Sequence, residues 1–142
     1  MSLERFSHGA VCAELTDTAA SVARRMRDFR VGSVVVTRGA RPVGIVTDRD
    51  LVLRVIAEGR DAHLTLVSEI VTYEPTTLPD TASLEAAART MRDHGVRRVP
   101  IVTDDGRIVG MVTADDLVSL LSRELADVGA GISEGVEATE SR

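Results

Sequence analysis

The sequence predicts an α+β fold made of two β-α-β-β-α repeats that are related by pseudo-two-fold symmetry. The chain has 142 residues and contains two similar segments twice. Ala23–Asp28 return as Ala88–Asp93, 65 positions later (88 − 23), and Gly44–Leu51 return as Gly110–Leu117, 66 positions later (110 − 44). A repeated unit of this size cannot easily bury its own apolar face, so the two copies are expected to pack together.

An amphipathic helix is predicted near the start of each repeat. Its apolar positions follow the i, i+3, i+4, i+7 spacing of one helix face. They are Ala19, Val22, Ala23 and Met26 in the first repeat, and Leu84, Ala87, Ala88 and Met91 in the second. Asp17–Thr18 and Asp80–Thr81 precede these stripes and are predicted to supply the N-caps.

A β-hairpin is predicted after each of these helices. The strands are Val34–Val36 and Val43–Val46 in the first repeat, and Val99–Val102 and Ile108–Val112 in the second. The turns Arg38–Ala40 and Asp104–Gly106 each contain a glycine, which tolerates the positive φ that such turns need.

A second helix is predicted to close each repeat, at Leu51–Glu58 and at Leu117–Leu125, with Gly59 just past the end of the first. The resulting division is residues 1–62 for the first repeat with its N-terminal lead-in and 63–126 for a linker and the second repeat. Residues 127–142, rich in Gly, Glu and Ser, are predicted to be a C-terminal tail.

Composition argues against several classes of protein. The net charge of −5 disfavours binding to the phosphate backbone of a nucleic acid. Aromatic residues make up only 2% of the chain, so few side chains can stack on bases. No apolar run approaches the ~20 residues of a membrane span. Cys12 is the only cysteine, which fits a reducing cytoplasm, and the N-terminus has no apolar stretch typical of a signal peptide.

The motif Thr47-x-x-Asp50 and its copy Thr113-x-x-Asp116 are the candidate site. Each lies where a strand ends and a helix begins, so unpaired backbone N–H groups and the helix dipole favour an anion there. A threonine hydroxyl can bond a phosphate oxygen, and a carboxylate can accept both hydroxyls of a ribose. The alternative is a capping box, in which the same two side chains satisfy backbone donors.

The twofold order of helix, hairpin, Gly-x-Val-Thr-x-x-Asp-Leu and helix resembles a pair of CBS domains over about residues 11 to 126. The resemblance implies a stand-alone, non-catalytic regulatory protein with an adenosine-containing ligand (AMP, ADP, ATP, NAD or S-adenosylmethionine) in clefts between the repeats. The alternative is an interaction or structural module with empty clefts. No cofactor is required, and no nucleophile or general base suggests an enzyme.

The family pattern also implies roles for individual residues. Thr47 and Thr113 would contact phosphate, and Asp50 and Asp116 would contact ribose. Adenine would lie near Val34 and Val99. Phosphate would also meet Arg97 and Arg98, with Arg98 the one facing the cleft. Gly32 and Ser33 occupy the corresponding positions of the first repeat, so the two clefts are expected to differ in charge.

Partners follow from the same reasoning. We expect a homodimer, an unidentified regulated protein as target, and no nucleic acid or membrane. His8, His63, His94 and Cys12 lack the spacing of a metal site, so no metal is expected.

Overall fold

The structure, a computed structural model, describes residues 2–6 and 9–140. The first repeat has the predicted element order. Its elements are β1 (Cys12–Glu14), α1 (Ala19–Phe29), β2 (Ser33–Arg38), β3 (Arg41–Thr47) and α2 (Asp48–Leu51), which continues as a π-helical turn over Val52–Ile56.

The second repeat has the same order after a connecting segment. That segment contains a 3₁₀ turn (Val67–Glu69) and β4 (Thr72–Tyr73). The repeat itself comprises β5 (Leu78–Pro79), α3 (Leu84–His94), β6 (Arg98–Val102), β7 (Ile108–Thr113) and α4 (Ala114–Glu140).

Two mixed sheets confirm the predicted α+β class. The first has the order β1-β2-β3-β4 and the second β5-β6-β7. In both, the first strand pairs parallel to the second, and the hairpin strands pair antiparallel. The α1 and α3 helices are the crossovers that a parallel pair requires.

Each repeat has its own apolar core, and each core is completed by chain from outside that repeat. Val67, Ile70 and Val71, which precede the second repeat, are buried in the first core. Leu3, in an N-terminal 3₁₀ turn (Leu3–Phe6), is fully buried in the second core, and its N–H donates to the carbonyl of Ala82 at 3.0 Å. The lead-ins of the two repeats are therefore exchanged.

Gly44 makes the exchange possible in the first sheet. It pairs with Tyr73 of β4, and a Cβ at Gly44 would lie 2.3 Å from a methyl carbon of Val71 and 2.7 Å from the carbonyl oxygen of Thr72. No side chain fits there, which explains the glycine inside a strand.

The predicted N-cap is confirmed in one repeat and wrong in the other. Thr18 caps α1 by accepting from the N–H of Ser21 at 3.2 Å. In the second repeat the cap is Ser83, which accepts from the N–H of Ala86 at 3.1 Å, rather than Asp80–Thr81. Asp80 and Thr81 lie instead in the turn after β5, and α3 begins at Leu84, the first residue of the predicted apolar stripe.

The predicted end of the last helix, Leu125, is wrong. Helix α4 continues to Glu140, through most of the segment predicted as a tail. Residues 141–142 lie outside the described residues. Among the residues that the structure describes, no helix combines the length and apolar character needed to cross a membrane.

Candidate functional site

Cleft 1 lies between the two repeats and has a volume of about 330 Å³. The first repeat contributes the segments 9–11 and 30–33 to its wall. The second repeat contributes Arg97, Arg98, Met111 and the segment 113–116. The N-terminus of α4, which contains the Thr113-x-x-Asp116 motif, therefore lines cleft 1.

Cleft 2 is the counterpart and has a volume of about 390 Å³. The connecting segment contributes Thr72 and residues 74–76, and the second repeat contributes residues 95–98. The first repeat contributes Ile45, Thr47 and Arg49. Asp50 does not line this cleft, so only the threonine of the first motif does.

The two clefts are related by the internal repeat. Val31 in cleft 1 and Val96 in cleft 2 are 65 positions apart (96 − 31), and Thr113 and Thr47 are 66 apart (113 − 47). Each cleft thus joins the lead-in and hairpin start of one repeat to the strand end of the other. A ligand in either cleft would contact both repeats.

Both motifs form capping boxes. The N–H of Thr47 donates to Asp50 Oδ2 at 2.8 Å, and the N–H of Asp50 donates to Thr47 Oγ1 at 3.2 Å. The second copy has the same pair of bonds between Thr113 and Asp116, at 2.9 and 3.1 Å. The capping box, which the sequence analysis gave as the alternative to a ligand site, is therefore present in both repeats.

Capping does not use all the hydrogen-bonding capacity of cleft 1. Thr113 Oγ1 accepts one bond, and its hydroxyl hydrogen can still be donated. Asp116 uses only Oδ2 among the described residues, so Oδ1 can accept from a ligand. In the other copy, Asp50 Oδ1 lies 3.8 Å from Arg54 Nε.

Arg97 and Arg98 line both clefts, so these two residues do not make the clefts electrically unequal as the sequence indicated. Arg97 is exposed and lies 3.3 Å from Asp115. Arg98 is half-buried, and its guanidinium makes no hydrogen bond or ion pair with any residue that the structure describes. Its guanidinium is therefore the cation best placed to meet an anion.

Val34 and Val99 lie away from both clefts. Each is fully buried, Val34 in the first core and Val99 in the second, so neither side chain is accessible to a ligand. The apolar side chains that do line the clefts include Val31, Met111 and Ile45.

The position of Met111 in the cleft could have been predicted from the alternation of side chains along strand β7. Side chains two residues apart share a face of a strand, so Met111 lies on the face of Thr113 while Val112 points into the core. The same rule places Ile45 with Thr47 in β3.

The candidate metal ligands do not converge among the described residues, where no group of three or more His, Cys, Asp or Glu side chains is arranged to hold a metal ion. His8 lies outside the described residues. Burial raises the pKa of the Cys12 thiol, and the neighbouring Arg25 guanidinium opposes that rise only in part. The sulfur is thus a thiol rather than a thiolate at neutral pH.

Comparison with known proteins gives a consistent family. A sequence model of the CBS domain matches twice, over residues 5–57 and 67–123. The CBS domain-containing protein YhcV of Bacillus subtilis is 39% identical over 110 residues, covering 77% of each chain. An uncharacterized protein of Methanopyrus kandleri is 35% identical over 106 residues, covering 74% of this chain. The chain spans 54% of the length of that relative.

A solved structure extends the comparison to three dimensions. A CBS domain protein of Pyrobaculum aerophilum, solved in complex with AMP, is 31% identical and superimposes with a TM-score of 0.74. The match covers 82% of this chain and 89% of that one.

Proposed function

The chain belongs to the CBS-domain family, and from that premise we propose that it is a non-catalytic regulatory module that senses an adenosine-containing ligand. The ligand classes are AMP, ADP, ATP, NAD and S-adenosylmethionine. Cleft 1 is the principal site in this proposal. The AMP complex of the Pyrobaculum relative supports the adenosine class.

One observation carries the proposal. Cleft 1 brings together a half-buried arginine without a partner among the described residues, a threonine hydroxyl and a carboxylate with an unused oxygen. These groups, Arg98, Thr113 and Asp116, are those that a phosphate and a ribose require. Apolar side chains lie beside them, and the volume of about 330 Å³ falls within the range of small-molecule sites.

The residues of cleft 1 contact three parts of the ligand, namely phosphate, ribose and adenine. Arg98 and the Thr113 hydroxyl bind phosphate oxygens, and Asp116 Oδ1 accepts from the ribose hydroxyls. Val31 and Met111 contact adenine, in place of the buried Val34 and Val99. Thr47 has the phosphate role in cleft 2, a weaker site because Asp50 lies outside its lining.

The second candidate function is an interaction module whose clefts stay empty. The presence of both capping boxes favours it, because the motif residues already have structural partners. Under this alternative the clefts are a consequence of how the repeats pack, and partner proteins bind elsewhere.

The setting of the module is part of the proposal. We place it in the cytoplasm as a homodimer that acts on a regulated protein, without binding nucleic acid or membrane. The net charge of −5 supports the absence of a nucleic-acid role.

Thermal unfolding with added ligands tests the proposal. A ligand that binds only the folded state raises its stability by RT ln(1 + [L]/Kd), so AMP, ATP, NAD or S-adenosylmethionine at 100 Kd should add about 2.7 kcal/mol. Guanosine monophosphate is the control for a general anion effect. An unchanged melting temperature with every adenosine compound at millimolar concentration would favour the interaction module.

A further inference from the structure

Helix α4 leaves the body of the protein. Leu117 and Leu120 near its start are buried, with exposed fractions of 8% and 3%, and Leu117 belongs to the second core. From residue 121 to residue 133 every side chain is exposed. The helix nevertheless continues to Glu140.

The exposed part of α4 has an apolar stripe with heptad spacing, which we call the C-terminal seam. Its members are separated by three, four, three and four residues, the a/d pattern of a coiled coil. They are between 57% and 73% exposed. The five residues are Val118, Leu121, Leu125, Val128 and Ile132.

The seam does not coincide with the face of α4 that packs on the protein. At 100° per residue, the five seam positions centre about a quarter turn away from Leu117 and Leu120. The apolar stripe is thus not a frayed continuation of the core contact. It is a separate surface without a partner among the described residues.

Local sequence does not explain why the helix persists. Gly129 and Gly131 lie inside it, and each glycine costs about 1 kcal/mol relative to alanine. A Cβ at either position would meet nothing within 4 Å in the chain, so packing within the chain does not demand a glycine there. In proteins, most helical stability comes from packing an apolar face rather than from the propensity of single residues.

We propose that the C-terminal seam pairs with the same seam of a second copy of this chain. The residues beside the seam at the e and g positions are Ser122, Glu124, Gly129 and Gly131, which include a single charge. Charges at these positions normally set the choice of partner, and here such charges are nearly absent. A second copy meets no row of like charges, and the glycines let its backbone come close.

This inference goes beyond the proposed sensor, and it does not depend on any ligand in cleft 1 or cleft 2. It assigns self-association to a surface outside the two repeats. Failure of nucleotide binding would leave it intact, and failure of the seam to pair would leave nucleotide binding intact.

The test is self-association of the full chain, measured by sedimentation velocity over a dilution series. The seam variant is Leu125→Glu with Ile132→Glu. Its matched control is Ala126→Glu with Ala130→Glu, which adds the same charge to exposed positions away from the seam. Glutamate is a good helix former, so neither pair should harm the helix itself. Far-UV circular dichroism and thermal unfolding verify that both variants remain folded.

We expect the wild type to self-associate, and the seam variant to have a dissociation constant raised about tenfold or more, a difference of ~1.4 kcal/mol. The control should match the wild type. Any contact between the repeats themselves is common to all three proteins and cancels in the comparison. A wild type that is monomeric at 100 μM, or equal dissociation constants for the two variants, would overturn the proposal.

Discussion

The guanidinium of Arg98 lies directly against Gly32. Its Nη2 atom is 2.9 Å from the position that a Cβ on Gly32 would take, and Asp48 Oδ2 is 3.2 Å from the same point. An arginine of the second repeat therefore reaches the hairpin start of the first repeat and helps to form the wall of cleft 1. The space left by the missing side chain at position 32 is what admits it.

Gly44→Ala should destabilise the protein more than Gly32→Ala does. The neighbour at Gly32 is the far end of a flexible arginine, so Gly32→Ala should change the free energy of unfolding by less than about 1 kcal/mol. Gly44→Ala would overlap Val71 and the backbone of Thr72, and should destabilise the protein by about 1–3 kcal/mol. Urea unfolding at 25 °C measures both. Equal changes in the free energy of unfolding for the two variants would contradict the close packing of β4 against Gly44 in β3.

Asp116→Ala and Asp50→Ala should be alike in stability and different in binding. Each removes an acceptor from a backbone N–H at a helix start, which costs about 1 kcal/mol. Only Asp116 lines a cleft, so only its loss should weaken AMP binding, by roughly ten- to a hundredfold. Isothermal titration calorimetry gives the affinities. If both variants bind AMP as the wild type does, the carboxylates are caps alone.

Arg98→Ala should reduce the preference for phosphorylated ligands, and Arg97→Ala should do so much less. The guanidinium of Arg98 has no hydrogen-bond or ion-pair partner among the residues that the structure describes, whereas that of Arg97 is already near Asp115. A guanidinium can meet phosphate through two parallel charge-assisted bonds. The measurement is the ratio of ATP, AMP and adenosine affinities for the wild type and both variants. A ratio that Arg98→Ala leaves unchanged would exclude this residue as the phosphate contact.

Glu69 should make stability depend on pH in the acid range. The hydrogen bond from the N–H of Leu66, and then the Arg60 guanidinium, lower the pKa of Glu69 below its ordinary value of 4.5. The folded state therefore binds the proton less readily than the unfolded state. The stabilisation is present above pH 4.5 and is lost as the pH falls through the folded pKa.

The variant Glu69→Gln isolates that contribution. Its stability deficit relative to the wild type should be largest at neutral pH and should shrink as the pH is lowered below 4.5, measured by urea unfolding at several pH values. Glu58→Gln is the control, because Glu58 is exposed and its carboxylate makes no ion pair or hydrogen bond within the described ranges. A Glu69→Gln deficit that stays constant with pH would count against the pKa assignment.

Local signals in the sequence predicted most of the secondary structure. The apolar stripes found α1 and α3, and the glycine turns found both hairpins, because each signal depends only on neighbouring residues. Gly59 was predicted just past a helix and indeed has a φ of 67°. Ser83 was missed because Asp80 and Thr81 lie in the turn that follows β5, and the residue that caps α3 comes two positions later.

The composition of the clefts was harder to predict, because it depends on how the repeats cross. Thr47, Thr113 and Asp116 were found from the motif and line the clefts, since a strand end is fixed locally. Val34 and Val99 were expected near adenine, but the cores that bury them form only when the sheets fold. The sharing of Arg98 between two clefts is likewise a property of the packed repeats.

The exchange of lead-ins between the repeats should affect both proteolysis and thermal unfolding of the protein. Trypsin cleavage after Arg60 would yield one fragment with most of the first repeat and another with Val67, Ile70 and Val71, which complete that repeat's core. The first fragment would in turn retain Leu3, which the second fragment needs. The nicked protein should hold together as complementing fragments, and the intact chain should melt in a single cooperative transition with no half-unfolded intermediate.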